Sequence, residues 1–139
     1  MKHGLAVSGV LISAAVLAAV AGCGGSHALA PVERQDISSA ELQTIMDDGQ
    51  PLVLVDVRTQ SEFAAGHIPG SVNLPIEEIE TWAPTLGKNT RICCICGSGA
   101  RSLTAANTLV AEGFQQVYNL LGGMLEWTGD VEDGCGCGS

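Results

Sequence analysis

Cys96 opens the run Cys96-Gly97-Ser98-Gly99-Ala100-Arg101-Ser102, which brings a nucleophile, a permissive backbone and a cation close together. Two glycines let a short turn curl tightly and aim several N–H groups at one point. A helix starting near Arg101 would add its positive N-terminal end. Such a cradle suits an anion, with the Cys96 sulfur at its centre. A free thiol of pKa near 8.5 is only about 3% thiolate at pH 7. Making it mostly thiolate takes a shift of about two pH units, or about 2.7 kcal/mol. A helix end contributes about 0.3–1 kcal/mol. Convergent N–H bonds and the Arg101 charge are therefore expected to supply the rest. Two rival chemistries fit less well. A C-x5-R loop around a tetrahedral oxyanion would need its cysteine at the position of Ile95. A dithiol reading of Cys93-x-x-Cys96 would put Cys93 inside a strand, not at a helix start.

The elements that must position this loop are legible around it. Arg91-Ile92-Cys93-Cys94-Ile95-Cys96 reads as a buried strand, and 102–112 as a helix rich in Ala and Leu, closed by Gly113. Leu52-Val53-Leu54-Val55 is a continuous β-rich run of the kind covered on both faces. It delivers Asp56 and Arg58 at its C-terminal end. Ser38 with Glu41 is a capping-box pattern for a helix carrying Leu42, Ile45 and Met46, after a short edge strand at Ile37. One helical turn is expected over 61–65, a strand over 71–74, helix over 76–82, a strand over 117–120 and a last turn over 124–127. Strands alternating with helices predict a single α/β domain, its sheet mostly parallel and flanked by helices on both faces. Ligands in such sheets sit beyond the carboxyl ends of the strands, where Cys96 falls.

Four further residues gather at the same ends: Asp56, Arg58, Glu62 and His67. Asp56 is expected to cap the turn that follows it, and Arg58 and Glu62 have the i,i+4 spacing of an ion pair. His67, between Gly66 and Ile68-Pro69-Gly70, is read as ordering its loop. Arg101 either lines the loop or ties its helix to Asp56 or Glu62. Cys93 and Cys94 are read as core residues, and Trp127 as packing under the final turn.

With 139 residues, 46% of them hydrophobic, 15% charged and a net charge of −9, the chain is one acidic domain and a poor partner for nucleic acid. Lys2 and His3 precede an uncharged, Ser- and Gly-broken apolar stretch ending Val20-Ala21-Gly22-Cys23. This resembles the lipobox of bacterial lipoproteins, which implies a signal peptide over 1–22, lipidation of Cys23 and a tether over 23–35. The domain, over 36–129, would then be lipid-anchored to a bacterial membrane on its extracytoplasmic side. An acidic, mobile tail over 130–139 carries Cys135 and Cys137; of six cysteines, lipidation leaves an odd number.

The loop from Cys96 to Ser102 resembles the C-x-x-G-x-R-S active loop of single-domain rhodaneses. Asp56-Val57-Arg58, Glu62-Phe63, Gly66-His67-Ile68-Pro69-Gly70-Ser71 and Asn73-Leu74-Pro75 agree with the same family upstream. Gly122-Gly123-Met124-Leu125-Glu126-Trp127 agrees downstream. The resemblance implies a sulfurtransferase with no cofactor and no metal. The Cys96 thiolate would take a sulfane sulfur from a small donor such as thiosulfate and pass it, as a persulfide, to cyanide, a thiol or a thiol protein. Gly97, Ser98, Gly99, Ala100, Arg101 and Ser102 would hold the persulfide. Gly97-Ser98 also resembles the start of the mercaptopyruvate branch's loop, from which Ala100-Arg101 departs. The alternatives are a redox or persulfide-carrier protein using Cys96 with the tail cysteines, or a non-catalytic binding module.

Overall fold

In the computed structural model, residues 31–135 are described; Cys23, the segment before it and Cys137 lie outside the described residues. The elements are β1 (Gln35–Ile37), α1 (Ser39–Met46), β2 (Val53–Asp56), α2 (Gln60–Ala64), β3 (Val72–Asn73), α3 (Ile79–Trp82), β4 (Arg91–Ile95), α4 (Ala100–Ala111), β5 (Gln116–Leu120) and α5 (Gly123–Glu126). The five strands form one sheet in the order β1-β5-β4-β2-β3, with every pairing parallel. β4 is central, so its carboxyl end opens between β2 and β5.

Period-two alternation along the strands builds a core on each face of this sheet. Val55, Ile92, Cys94 and Val117 face α3 and α4, where Trp82, Ala105, Ala106 and Leu109 cover them. Leu54, Cys93, Ile95 and Leu120 face the other way, against Leu42 of α1, Ile68, and Met124 and Trp127 of the α5 region. Cys93 and Cys94 are fully buried core residues, as expected, on opposite faces. Each fully buried Leu or Ile in these layers contributes about 1.5–3 kcal/mol through apolar burial.

Local signals account for most boundaries. Ser38 and Glu41 form the expected capping box on α1, and Thr59 and Glu62 form a second on α2. The expected helix over 76–82 is divided: a 3₁₀ turn at Ile76–Glu78 precedes α3, and neither start has a side-chain cap. α4 begins earlier than the sequence suggests, because Gly99 at φ 97° serves as its N-cap. Ala100, Arg101 and Ser102 therefore belong to the first helical turn.

The expectation of a mobile segment after 129 does not hold for 131–134. Glu132 forms an antiparallel bridge with His67 through two N–H···O bonds of 2.9 Å, and the Gly134 N–H donates to the Ala64 carbonyl at 2.9 Å. The backbone groups around α2 that this segment satisfies would otherwise need solvent.

Candidate active site around Cys96

Cys96 follows the last residue of β4, on the α4 face of the sheet, and only 1% of its surface meets solvent. The chain turns at once and starts α4, so the first-turn amides lie over the sulfur. The Gly99 N–H donates to Sγ at 3.0 Å, and the Ser102 hydroxyl lies 3.3 Å from it. Burial pushes the thiol pKa up. It is outweighed by the Ser102 hydroxyl and by backbone N–H groups of Ser102, Gly99 and Ser98, and the net shift is downward. The neighbouring thiols go the other way. Burial drives Cys94 up to about 12, aided by the nearby Cys96 charge, and drives Cys93 well above the ordinary range. Among the cysteines of β4 and its end, only Cys96 is shifted in the direction that favours a thiolate. Cys93 and Cys96 sit on opposite faces of the sheet, which separates them as a dithiol pair.

The loop is clamped from beneath by α5. The Met124 N–H donates to the Cys96 carbonyl at 2.8 Å and the Leu125 N–H to the Gly97 carbonyl at 3.0 Å. That approach explains Gly123: at its φ of 53° a Cβ would overlap the Cys96 carbonyl oxygen and sit 2.8 Å from the Gly97 carbon. At Gly99 a Cβ would press on the Gly122 nitrogen at 3.2 Å.

Arg101 does not donate to the sulfur. Its Nη1 and Nη2 pair with the two oxygens of Glu62 at 2.8 and 2.7 Å. The expected large role for the Arg101 charge therefore passes to backbone amides and Ser102, with Arg101 pinning α4 to α2. Glu62 responds in kind: Arg101, the Thr59 N–H and its hydroxyl pull its pKa down to about 2 against burial. The expected Arg58–Glu62 ion pair does not form, because α2 begins only at Gln60 and Arg58 lies outside it. Arg58 turns back instead onto Asp56, with Nε 3.0 Å from Oδ1 and Nη2 2.7 Å from Oδ2, and also reaches the Gly66 carbonyl at 2.7 Å. Asp56 is fully buried and accepts the Arg58 N–H at 3.0 Å, the capping turn expected of it.

His67 is fully buried, stacked on Phe63 at 3.7 Å between ring centroids, with Nδ1 2.9 Å from the Phe63 carbonyl. Its Nε2 lies 3.2 Å from Glu132 Oε1, but off the angle of a hydrogen bond. The ring orders its loop, as expected. Trp127 half-buries against the α1 core and donates from Nε1 to the Asp130 carbonyl at 2.9 Å. Cys135 lines a surface hollow with Gln60, Phe63 and Asn73, by the α2–β3 edge.

Sequence reading missed two residues that complete the site. Asn119 of β5 is 2% exposed; its Oδ1 lies 2.6 Å from the Ser102 hydroxyl and its Nδ2 2.9 Å from Asp36 Oδ1. A lone amide within the apolar run of β5 was the available signal, since a buried polar side chain needs partners.

The geometry is that of the rhodanese-like fold, and the chain belongs to that family: the Rhodanese-like domain model matches residues 38–130. The putative sulfur carrier protein YrkF of Bacillus subtilis is 40% identical over 97 residues, 70% of this chain and 52% of the relative, so the chain spans about half that protein's length. The putative sulfurtransferase YtwF of Bacillus subtilis is 36% identical over 101 residues, 73% of this chain and 97% of the relative. Among solved structures, a rhodanese-like domain protein from Staphylococcus aureus superposes with a TM-score of 0.66 at 31% identity, covering 71% of this chain and 97% of its own. Relatives named as sulfurtransferases and sulfur carriers support sulfur transfer as the general chemistry of this chain.

Proposed function

We propose that the protein is a sulfurtransferase whose Cys96 carries the transferred sulfur as a persulfide. The observation that carries this reading is the Cys96 sulfur itself, set at the end of the central strand and hydrogen-bonded by the Gly99 N–H. In the first half-reaction the thiolate attacks the outer sulfur of a donor such as thiosulfate. A Cys96–sulfur bond forms, the donor's S–S bond breaks, and its electron pair leaves with sulfite. In the second, cyanide or a thiolate takes the outer sulfur and returns the electron pair to Cys96 as thiolate. The persulfide keeps the negative charge that the loop amides stabilise. With Arg101 held by Glu62 and no lysine in the loop, little net charge draws a dianion, so thiosulfate is expected to saturate the enzyme only at high concentration. Thiosulfate-to-cyanide sulfur transfer by the wild type and by Cys96→Ser tests the assignment. Loss of activity in the variant supports it, and undiminished activity contradicts it. The lipobox-like sequence at Cys23 further supports an extracytoplasmic, lipid-anchored location, which Cys23→Ala should abolish as release from the membrane fraction.

A further inference from the structure

The Ser102 hydroxyl has one hydrogen and two claimants. Cys96 Sγ lies 3.3 Å away and Asn119 Oδ1 only 2.6 Å away. All three residues are buried, with exposures of 0% for Ser102, 1% for Cys96 and 2% for Asn119. Which way the Asn119 amide faces is settled from its far side, where Nδ2 lies 2.9 Å from Asp36 Oδ1. The Asn119 hydrogen bond and the Arg34 guanidinium hold Asp36 below the usual carboxylate range, against burial, so at neutral pH it only accepts. Reversing the amide would set its oxygen against that carboxylate.

Asn119 therefore presents an oxygen to Ser102. Two oxygens at 2.6 Å need a hydrogen between them, and only the Ser102 hydroxyl can supply it. The Ser102 oxygen is left with lone pairs towards Sγ, an arrangement that accepts from a thiol S–H. For Ser102 to donate to a thiolate, its hydrogen must swing away from Asn119 and leave two buried acceptors facing each other.

We propose that Asn119, anchored by Asp36, is a positioning residue that competes with the Cys96 thiolate for the Ser102 hydroxyl hydrogen and so sets the balance between thiol and thiolate. The charged and titratable groups around this sulfur are few. Cys94 lies on the same strand, Arg101 on α4 is paired with Glu62 of α2, and Asp36 of β1 reaches it only through Asn119. The inference rests on Cys96 being the reactive thiol, but its test needs no sulfur donor and so stands or falls apart from sulfur transfer.

The test is the rate of iodoacetamide alkylation against pH, read by mass on the tryptic peptide 92–101. It compares wild type, Asn119→Leu, Ser102→Ala and the double variant. Asn119→Leu frees the hydroxyl for the thiolate and should lower the inflection by about half to one pH unit. In a Ser102→Ala background, where there is no hydroxyl hydrogen to compete for, Asn119→Leu should have no further effect. An inflection unchanged or raised by Asn119→Leu overturns the proposal, as does an equal downward shift in the absence of Ser102. If the leucine variant fails to fold, Asn119→Ala takes its place with the same outcomes.

Discussion

Cys96 gains its character from neighbours that are mostly backbone. Stabilising a thiolate by N–H groups from a glycine-permitted turn leaves Arg101 free for Glu62, an arrangement the loop's residue types do not disclose. The pattern C-x4-R was visible in the sequence, and so was the need for convergent donors. Glu62 was one of two candidate partners for Arg101, and the choice between it and Asp56 was not legible, because it depends on where α2 starts. The same uncertainty misled the i,i+4 pairing of Arg58 with Glu62: that spacing means contact only inside a helix. Arg58 and Asp56 instead form a buried pair, 2.7 Å at its shortest. Breaking one half strands a buried charge. Arg58→Met should therefore destabilise the fold by about 3–5 kcal/mol in urea unfolding, whereas replacing both partners with apolar residues should cost less.

At the scale of elements, the apolar strands β2, β4 and β5 and the Ser38–Glu41 capping box were legible, since period and cap chemistry are local, whereas the Thr59–Glu62 box was missed because Glu62 was paired with Arg58. The pairing of 131–134 with His67 was not, because a single backbone bridge leaves no periodic signal. Nor does the sequence show how closely α5 approaches the Cys96 loop, although Gly122-Gly123 marks a tight turn. Gly123 stands where a methyl group would strike the Cys96 carbonyl. Gly123→Ala should thus lower sulfur transfer at least about tenfold, since forcing a non-glycine residue into a left-handed conformation costs about 1–3 kcal/mol at a position that must not move. Thermal unfolding should show the fold retained. Full activity in that variant would mean that α5 does not hold the loop.

Taken whole, the chain is acidic, with net charge −9, and several of its carboxylates are committed to hydrogen-bonded partners. Glu62 has a folded pKa of about 2 against an ordinary 4.5, so its contribution to stability is present above pH 4.5 and is lost as pH falls towards 2. Glu41, Asp36 and Asp48 are shifted in the same direction. Urea midpoints should fall through this acid window, and Arg101→Met should flatten the part owed to Glu62. A midpoint profile unaltered by Arg101→Met would show the pair to be thermodynamically silent. The parallel α/β architecture was the most legible feature of all, because alternation of buried strands and helices repeats along the whole domain. The Asp36–Asn119–Ser102 chain was the least, because it joins residues far apart in sequence that only the strand order β1-β5-β4 brings together.

The claim that Cys96 carries sulfur is tested most directly by intact mass and peptide mass spectrometry after brief exposure to thiosulfate and removal of excess donor. The account predicts a gain of about 32 Da, the mass of one sulfur atom, localised by fragmentation to Cys96 within peptide 92–101 and absent from Cys96→Ser. Sulfur found on Cys135 or Cys137 instead, or a gain that survives in Cys96→Ser, would contradict it.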